Sequence, residues 1–142
     1  MTMIVMVMAA MLASGDANGA AQTGTLDVAG RWLMPEEKSI IEVYDCGDGT
    51  PCGRVDWVLD DGENLVTDDH NKDPDLQGRP LEGVMIVYGF ERARDGWSGG
   101  KIYNPENGKT YGAKMRLEDE GQLLVKGCVG PICRGMTWTE AP

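Results

Sequence analysis

The segment "DDHNKDPDLQGRP", residues 68–80, gathers more chemistry-bearing side chains than any other stretch of the chain. Asp69, Asn71, Asp73 and Asp75 alternate, as oxygen ligands do at the opening of a calcium loop, where every second side chain turns toward one hard cation. The match then stops. The sharp-turn position holds Pro74 in place of glycine, and the twelfth position holds Pro80 in place of a bidentate glutamate. His70 is the chain's one imidazole, and no Gly-x-Ser-x-Gly elbow accompanies it to build a Ser–His–Asp device. Glu63, Asp68 and Asp69 offer carboxylates for glycoside cleavage, with nothing in their spacing to set a working separation. Beside each reading stands a plainer one, a solvated acidic loop.

Arg79 has two roles open to it. Flanked by Gly78 and Pro80 at the loop's exit, its guanidinium fork can be held by nearby carboxylates and pin the loop to the rest of the domain. Alternatively it meets the carboxylate or phosphate of a ligand. Among the apolar residues, strand alternation places Val55, Trp57 and Leu59 on one face, and Tyr111 and Met115 on one face of another strand. With Tyr103 these are either packed core or the wall of a pocket.

Strands must position these residues. Apolar residues alternate in short runs separated by Gly, Pro, Asn and Asp at intervals of roughly ten residues. The runs are 28–33, 39–45, 52–59, 83–92, 96–103, 109–117, 122–129 and 133–139. Eight short strands with mostly tight turns predict an all-β, up-and-down antiparallel barrel, which leaves no free edge; a two-sheet sandwich is the alternative. "NPENG" (104–108) reads as a four-residue hairpin loop pairing Asn104 with Lys109, Tyr103 with Thr110 and Ile102 with Tyr111, with Gly108 in the left-handed position. In such a meander this turn shares one rim with the long 60–82 loop and the "CVGPIC" turn.

The cysteines and charge narrow the setting. Cys46, Cys52, Cys128 and Cys133 allow three connectivities, and the short gaps across Gly/Pro turns favour 46–52 and 128–133; zinc ligation is the rival. Residues 1–21 carry an apolar run, Ile4 to Leu12, followed by small residues, the profile of a secretory signal, although no Lys or Arg precedes the run. Cleavage there leaves one domain over 22–142, in a periplasmic or secreted location where disulfides persist. A net charge of −10 argues against nucleic acid or an anionic membrane surface as partner. Acids crowd the segment from Asp56 to Asp75, where Lys72 is the one Lys or Arg.

"GRWL", "DDHNKDPDLQGRPLEGV", "GWSGGKIYNPENGKTYGAKM" and "VGPICRGMTW" together resemble an uncharacterised family of exported bacterial proteins that look like small lipocalin-type (calycin) barrels. The resemblance covers nearly the whole chain after residue 21. It implies a barrel fold, an envelope or secreted location, and no established reaction; the C-terminal helix usual in large lipocalins is not expected here, since the sequence stops at Pro142. It also implies that Gly30 and Trp32 lie on the first strand, with the indole closing one end beneath a basic residue of the last strand. The family pattern places that arginine after "WT", where this chain has Glu140, so Arg134 is left to cover Trp32 by a cation–π contact.

The expectation is therefore an exported lipocalin-like barrel that binds a small, partly apolar ligand without transforming it and needs no cofactor. Trp57, Arg79, Tyr103, Tyr111 and Met115 would contact that ligand at the wall or mouth. Two alternatives stand beside it: a solid barrel whose acidic 60–82 loop docks an envelope partner or a cation, and a weak hydrolase using the loop carboxylates and His70.

Overall fold

The computed structural model describes residues 26–119 and 121–142. The predicted secretory segment, 1–21, lies outside them.

The alternating runs form nine strands: β1 (Gly30–Leu33), β2 (Ser39–Asp45), β3 (Pro51–Val58), β4 (Met85–Tyr88), β5 (Glu91–Ala93), β6 (Gly96–Asn104), β7 (Lys109–Leu117), β8 (Gln122–Val129) and β9 (Ile132–Glu140). All pairings are antiparallel, in the order β4-β3-β2-β1-β9-β8-β7-β6, and β4 also pairs with β6, which closes the ring. The result is an eight-stave up-and-down barrel, as the turn spacing predicts. The only helical piece among the described residues is a single 3-10 turn, Pro74–Leu76, so no described helix is long and apolar enough to cross a membrane.

One stave differs from the expected 83–92 strand. It breaks into β4, which pairs with one half of β6, and β5, which pairs with the other half. Between them the chain turns at Gly89 (φ +78°) and drives the Phe90 ring into the core, against Gly100 of β6. A β-carbon on Gly100 would overlap that ring, so the kink needs a glycine opposite it. Breaking one stave lets the sheet bend sharply enough to close.

The β6–β7 hairpin has the predicted register: Ile102 opposite Tyr111, Tyr103 opposite Thr110 and Asn104 opposite Lys109. Residues 105–108 form its loop, with Gly108 at φ +71°. Asn104 and Asn107 brace the loop by accepting from the backbone N–H of Glu106 and Lys109.

In β3 simple alternation fails. Ile40 faces Trp57 but Ile41 faces Val55, so Asp56 is an extra residue, a bulge that shifts the side-chain phase. Val55 and Val58 therefore point inward, while Trp57 is carried outside at 36% exposure. Leu59 lies beyond the strand. Asp56 uses its displaced position to bind Arg31 at 2.8 Å on the outer surface.

One end of the barrel is shut. The residues before β1 cross it: Val28 is fully buried, and its carbonyl accepts from the Trp32 indole at 2.9 Å. Asp27 reaches to the opposite wall, where its carboxylate accepts from Trp97 Nε1 at 3.1 Å. Above this end the core is solid, with Met115, Leu123, Val125 and Trp138 almost entirely buried. Both predicted disulfides are formed, Cys46–Cys52 at the closed end between β2 and β3, and Cys128–Cys133 at the open end across β8 and β9. Among the described residues no cysteine is free, which removes the thiolates that a zinc site requires.

Candidate functional site

The inward rows of the staves run from the solid core to an open mouth. On β9 the row is Trp138, Met136, Arg134 and Ile132; on β8 it is Leu123, Val125, Gly127 and Val129. Exposure rises along each, from 0% at Trp138 and Leu123 to 72% at Ile132 and 68% at Val129. Between these rows and the facing strands lies a cavity of about 730 Å³, with its body formed by Ile41, Val55, Ile86, Ile102, Tyr111 and Met136. Its rim comes from the 34–38 turn, the long loop, the 105–108 turn and the β8–β9 hairpin. A second hollow, between Lys72 and Asp73 of the loop and Thr110 and Cys128 on the outer wall, is an open groove on the surface.

The long loop is fastened at its centre by one carboxylate. Asp68 is fully buried; Arg79 Nε donates to it at 3.0 Å, Asn71 Nδ2 at 2.8 Å, and the Tyr103 hydroxyl also donates to it. The Asp68 backbone N–H in turn donates to the Arg79 carbonyl at 2.8 Å, beside a bridge between Thr67 and Pro80. Burial alone would raise the Asp68 pKa, but the hydrogen bonds from Tyr103, Asn71 and Arg79 outweigh it and hold the carboxyl below its ordinary 3.8. Burial, aided by the hydrogen bond to Asp68 and its negative charge, pushes the Tyr103 phenol up to about 12. The loop also lies directly on the hairpin, because the Gly108 α-carbon packs against the His70 carbonyl.

These contacts redistribute the expected site residues. Tyr111 and Tyr103 both line the cavity, the first with its hydroxyl accepting from Asn107 Nδ2 at 2.8 Å. Met115 belongs to the solid core beneath, at 2% exposure. Trp57 is outside the barrel, placed there by the bulge. Arg79 is held by Asp68 as the loop's latch and is not among the residues that line the cavity.

The closure is also rearranged. Trp32 is buried, with Gly30 beside it at the start of β1, but its partner on β9 is Glu140. Arg134 lies six residues from Glu140 along the same strand, roughly 20 Å away at the rise of a β-strand, and cannot cover that indole. The guanidinium stacked over an indole belongs to Arg92, 4.9 Å from the Trp97 ring.

Three of the four proposed cation ligands accept local hydrogen bonds. Asn71 Oδ1 accepts from the Asp73 N–H, Asp73 Oδ1 from the Asp75 N–H at the 3-10 turn, and Asp69 Oδ1 from the Thr67 hydroxyl. Asn71 and Asp73 thus cap successive backbone N–H groups, while Asp69 is turned to Thr67. Among the described residues no cluster of three His, Cys, Asp or Glu has metal-holding geometry. The alternating pattern is what a chain of Asx turns produces.

Comparison with known proteins agrees with this architecture. A family model described as "Uncharacterized protein conserved in bacteria (DUF2147)" matches residues 30–140. The chain belongs to this DUF2147 family. Among solved structures it is similar to protein HP1028 from the human pathogen Helicobacter pylori, described as belonging to the lipocalin family, with a TM-score of 0.70 and 23% identity over 83% of this chain and 85% of that one. At that identity the likeness speaks for the fold alone, and the fold is lipocalin-like. No curated protein sequence matches the chain.

What the sequence missed was the burial of Asp68 and the position of Arg134. The second was within reach. Reading the last strand in steps of two from the apolar Trp138 gives Met136, Arg134 and Ile132 as one row.

Proposed function

We propose that this DUF2147 protein is an exported binding protein that holds a small, partly apolar molecule in the mouth of its barrel and does not transform it. The observation that carries the reading is the cavity itself. Its volume lies in the roughly 300–1,000 Å³ span of small-molecule sites, and its body is built mainly from apolar side chains of facing staves. A methylene moved from water into such a space gains about 0.8 kcal/mol, so a chain of several carbons supplies binding energy without polar contacts. Two disulfides and membership of a bacterial family support an extracytoplasmic location. The hydrolase alternative loses its carboxylate at Asp68, which is committed to the latch, and His70 is exposed on the loop, outside the cavity lining. A solid barrel is at odds with the cavity.

Titration with the uncharged fluorophore N-phenyl-1-naphthylamine tests the reading. Saturable enhancement is expected, reduced at least tenfold in affinity by Met136→Trp, which fills the lumen. No enhancement, or enhancement indifferent to the filled lumen, would overturn it.

A further inference from the structure

Arg134 is an exposed cation on the inward row of β9, and it lines a cavity whose body is mainly apolar. Arg31, Arg54, Arg79, Arg92 and Arg116 each hold a carboxylate within 4 Å. Arg94 and Arg134 have no such partner among the described residues, in a chain of net charge −10, and of these two only Arg134 lines the cavity. Its place in the inward row of β9, between Ile132 and Met136, sets it one layer below the rim. Directly across the ladder stands Gly127, which also lines the cavity and offers no side chain to cover the guanidinium. The other charged groups of the lining are Glu36, Lys38 and Glu106, all on rim turns and none within ion-pair distance of Arg134. A guanidinium left without a carboxylate beside apolar walls is a fixed fork for a planar or tetrahedral anion.

We infer that the ligand is an anionic amphiphile, its aliphatic part in the body of the cavity and its carboxylate or phosphate on Arg134. This rests on the binding reading above and specifies the chemistry of that site. The anion takes the place that solvent holds in the free protein, and the polar end faces the mouth while the tail points to the core. Arg134 is thus a specificity-determining residue: it favours charged over neutral chains of one length.

Displacement of bound N-phenyl-1-naphthylamine by four twelve-carbon probes measures this preference: dodecanoate, dodecyl phosphate, dodecanol and dodecyltrimethylammonium. For the intact protein at least one anionic probe is expected to displace at concentrations at least tenfold below dodecanol, the factor that hydrogen bonds to a charged group supply. Which of the two anions is stronger distinguishes carboxylate from phosphate. Arg134→Met should bring that ratio to about one with dodecanol unchanged, and Arg134→Lys should restore part of it. Lys38→Met should leave it as it was. Equal displacement by dodecanol and both anions, a stronger cationic probe, or a preference that follows Lys38 instead of Arg134 would each overturn the assignment. A protein that never binds the fluorophore fails the binding reading itself, an outcome distinct from all of these.

Discussion

The hydroxyl of Tyr103, on the β6 stave, donates to the carboxylate of Asp68, at the centre of the long loop between β3 and β4. This contact, together with the seating of His70 on Gly108, joins the most acidic segment of the chain to the barrel wall beside the cavity. Arg79 and Asn71 complete the cage around the same carboxylate, so the loop is built inward upon a buried charge.

Asp68→Asn is expected to cost about 1.5–3 kcal/mol at pH 7, the range for hydrogen bonds to a charged group. The pH dependence has a definite sign. The folded carboxyl has a pKa below 3.8, so its stabilisation is present above that value and is lost as pH falls through the lowered one. Tyr103 acts in the opposite sense: its phenol, raised from 10.0 to about 12, contributes stability that is present below pH 10 and is lost as pH rises toward 12. Urea unfolding from pH 2 to 12 should therefore show both limbs flattened in the Asp68→Asn protein relative to the native one.

Gly108→Ala tests the seating of the loop on the hairpin. Alanine at φ +71° is strained, and its methyl group would overlap the His70 carbonyl, so both the turn and the loop must shift. A loss of roughly 1–3 kcal/mol is expected, with faster proteolytic cleavage within 60–82. A change confined to a few tenths of a kcal/mol would show that the loop does not rest there.

The bulge at Asp56 predicts an unusual ranking of substitutions. Trp57→Ala, despite removing the larger side chain, should cost about 1 kcal/mol or less, because that indole lies outside the barrel. Ile41→Ala, facing the displaced register from inside, should cost roughly 2–5 kcal/mol. Chemical denaturation of the two proteins gives the order directly, and the reverse order would place Trp57 in the core.

Calcium should leave the protein unchanged. Asn71 and Asp73 each commit one side-chain oxygen to a local backbone N–H and Asp69 one to the Thr67 hydroxyl, so thermal melts with millimolar calcium and with a chelator should coincide. A calcium-dependent rise in Tm would mean that the loop rearranges to release those oxygens.

Much of the architecture was legible before any coordinates. The register of β6 on β7 follows from Pro105 and Gly108, whose backbone preferences leave few ways to turn. The disulfide pairs follow from short gaps across turns, and the shared rim of the three loops follows from strand count. Other features depend on residues far away in sequence. No alternation rule announces that Asp56 will be extruded, since the bulge exists only against Ile40 and Ile41 of the neighbouring stave.

The two arginines show the same division most clearly. By itself the sequence determined an eight-stave, disulfide-stapled barrel with a long acidic loop at one rim, because strand period, turn chemistry and cysteine spacing all act over a few residues. It also supplied two cations: Arg79, which could pin the loop or meet a ligand, and Arg134, left to close the barrel over Trp32. Tertiary structure decided where each one lies. Arg79 meets a carboxylate eleven residues before it because the loop folds back on Tyr103, whereas Arg134 lies far from Trp32 because the strands pair at the other end of β9. Whether a charge is paired or free depends on which chain segments fold beside it, and in this barrel that leaves Arg134 facing the open cavity.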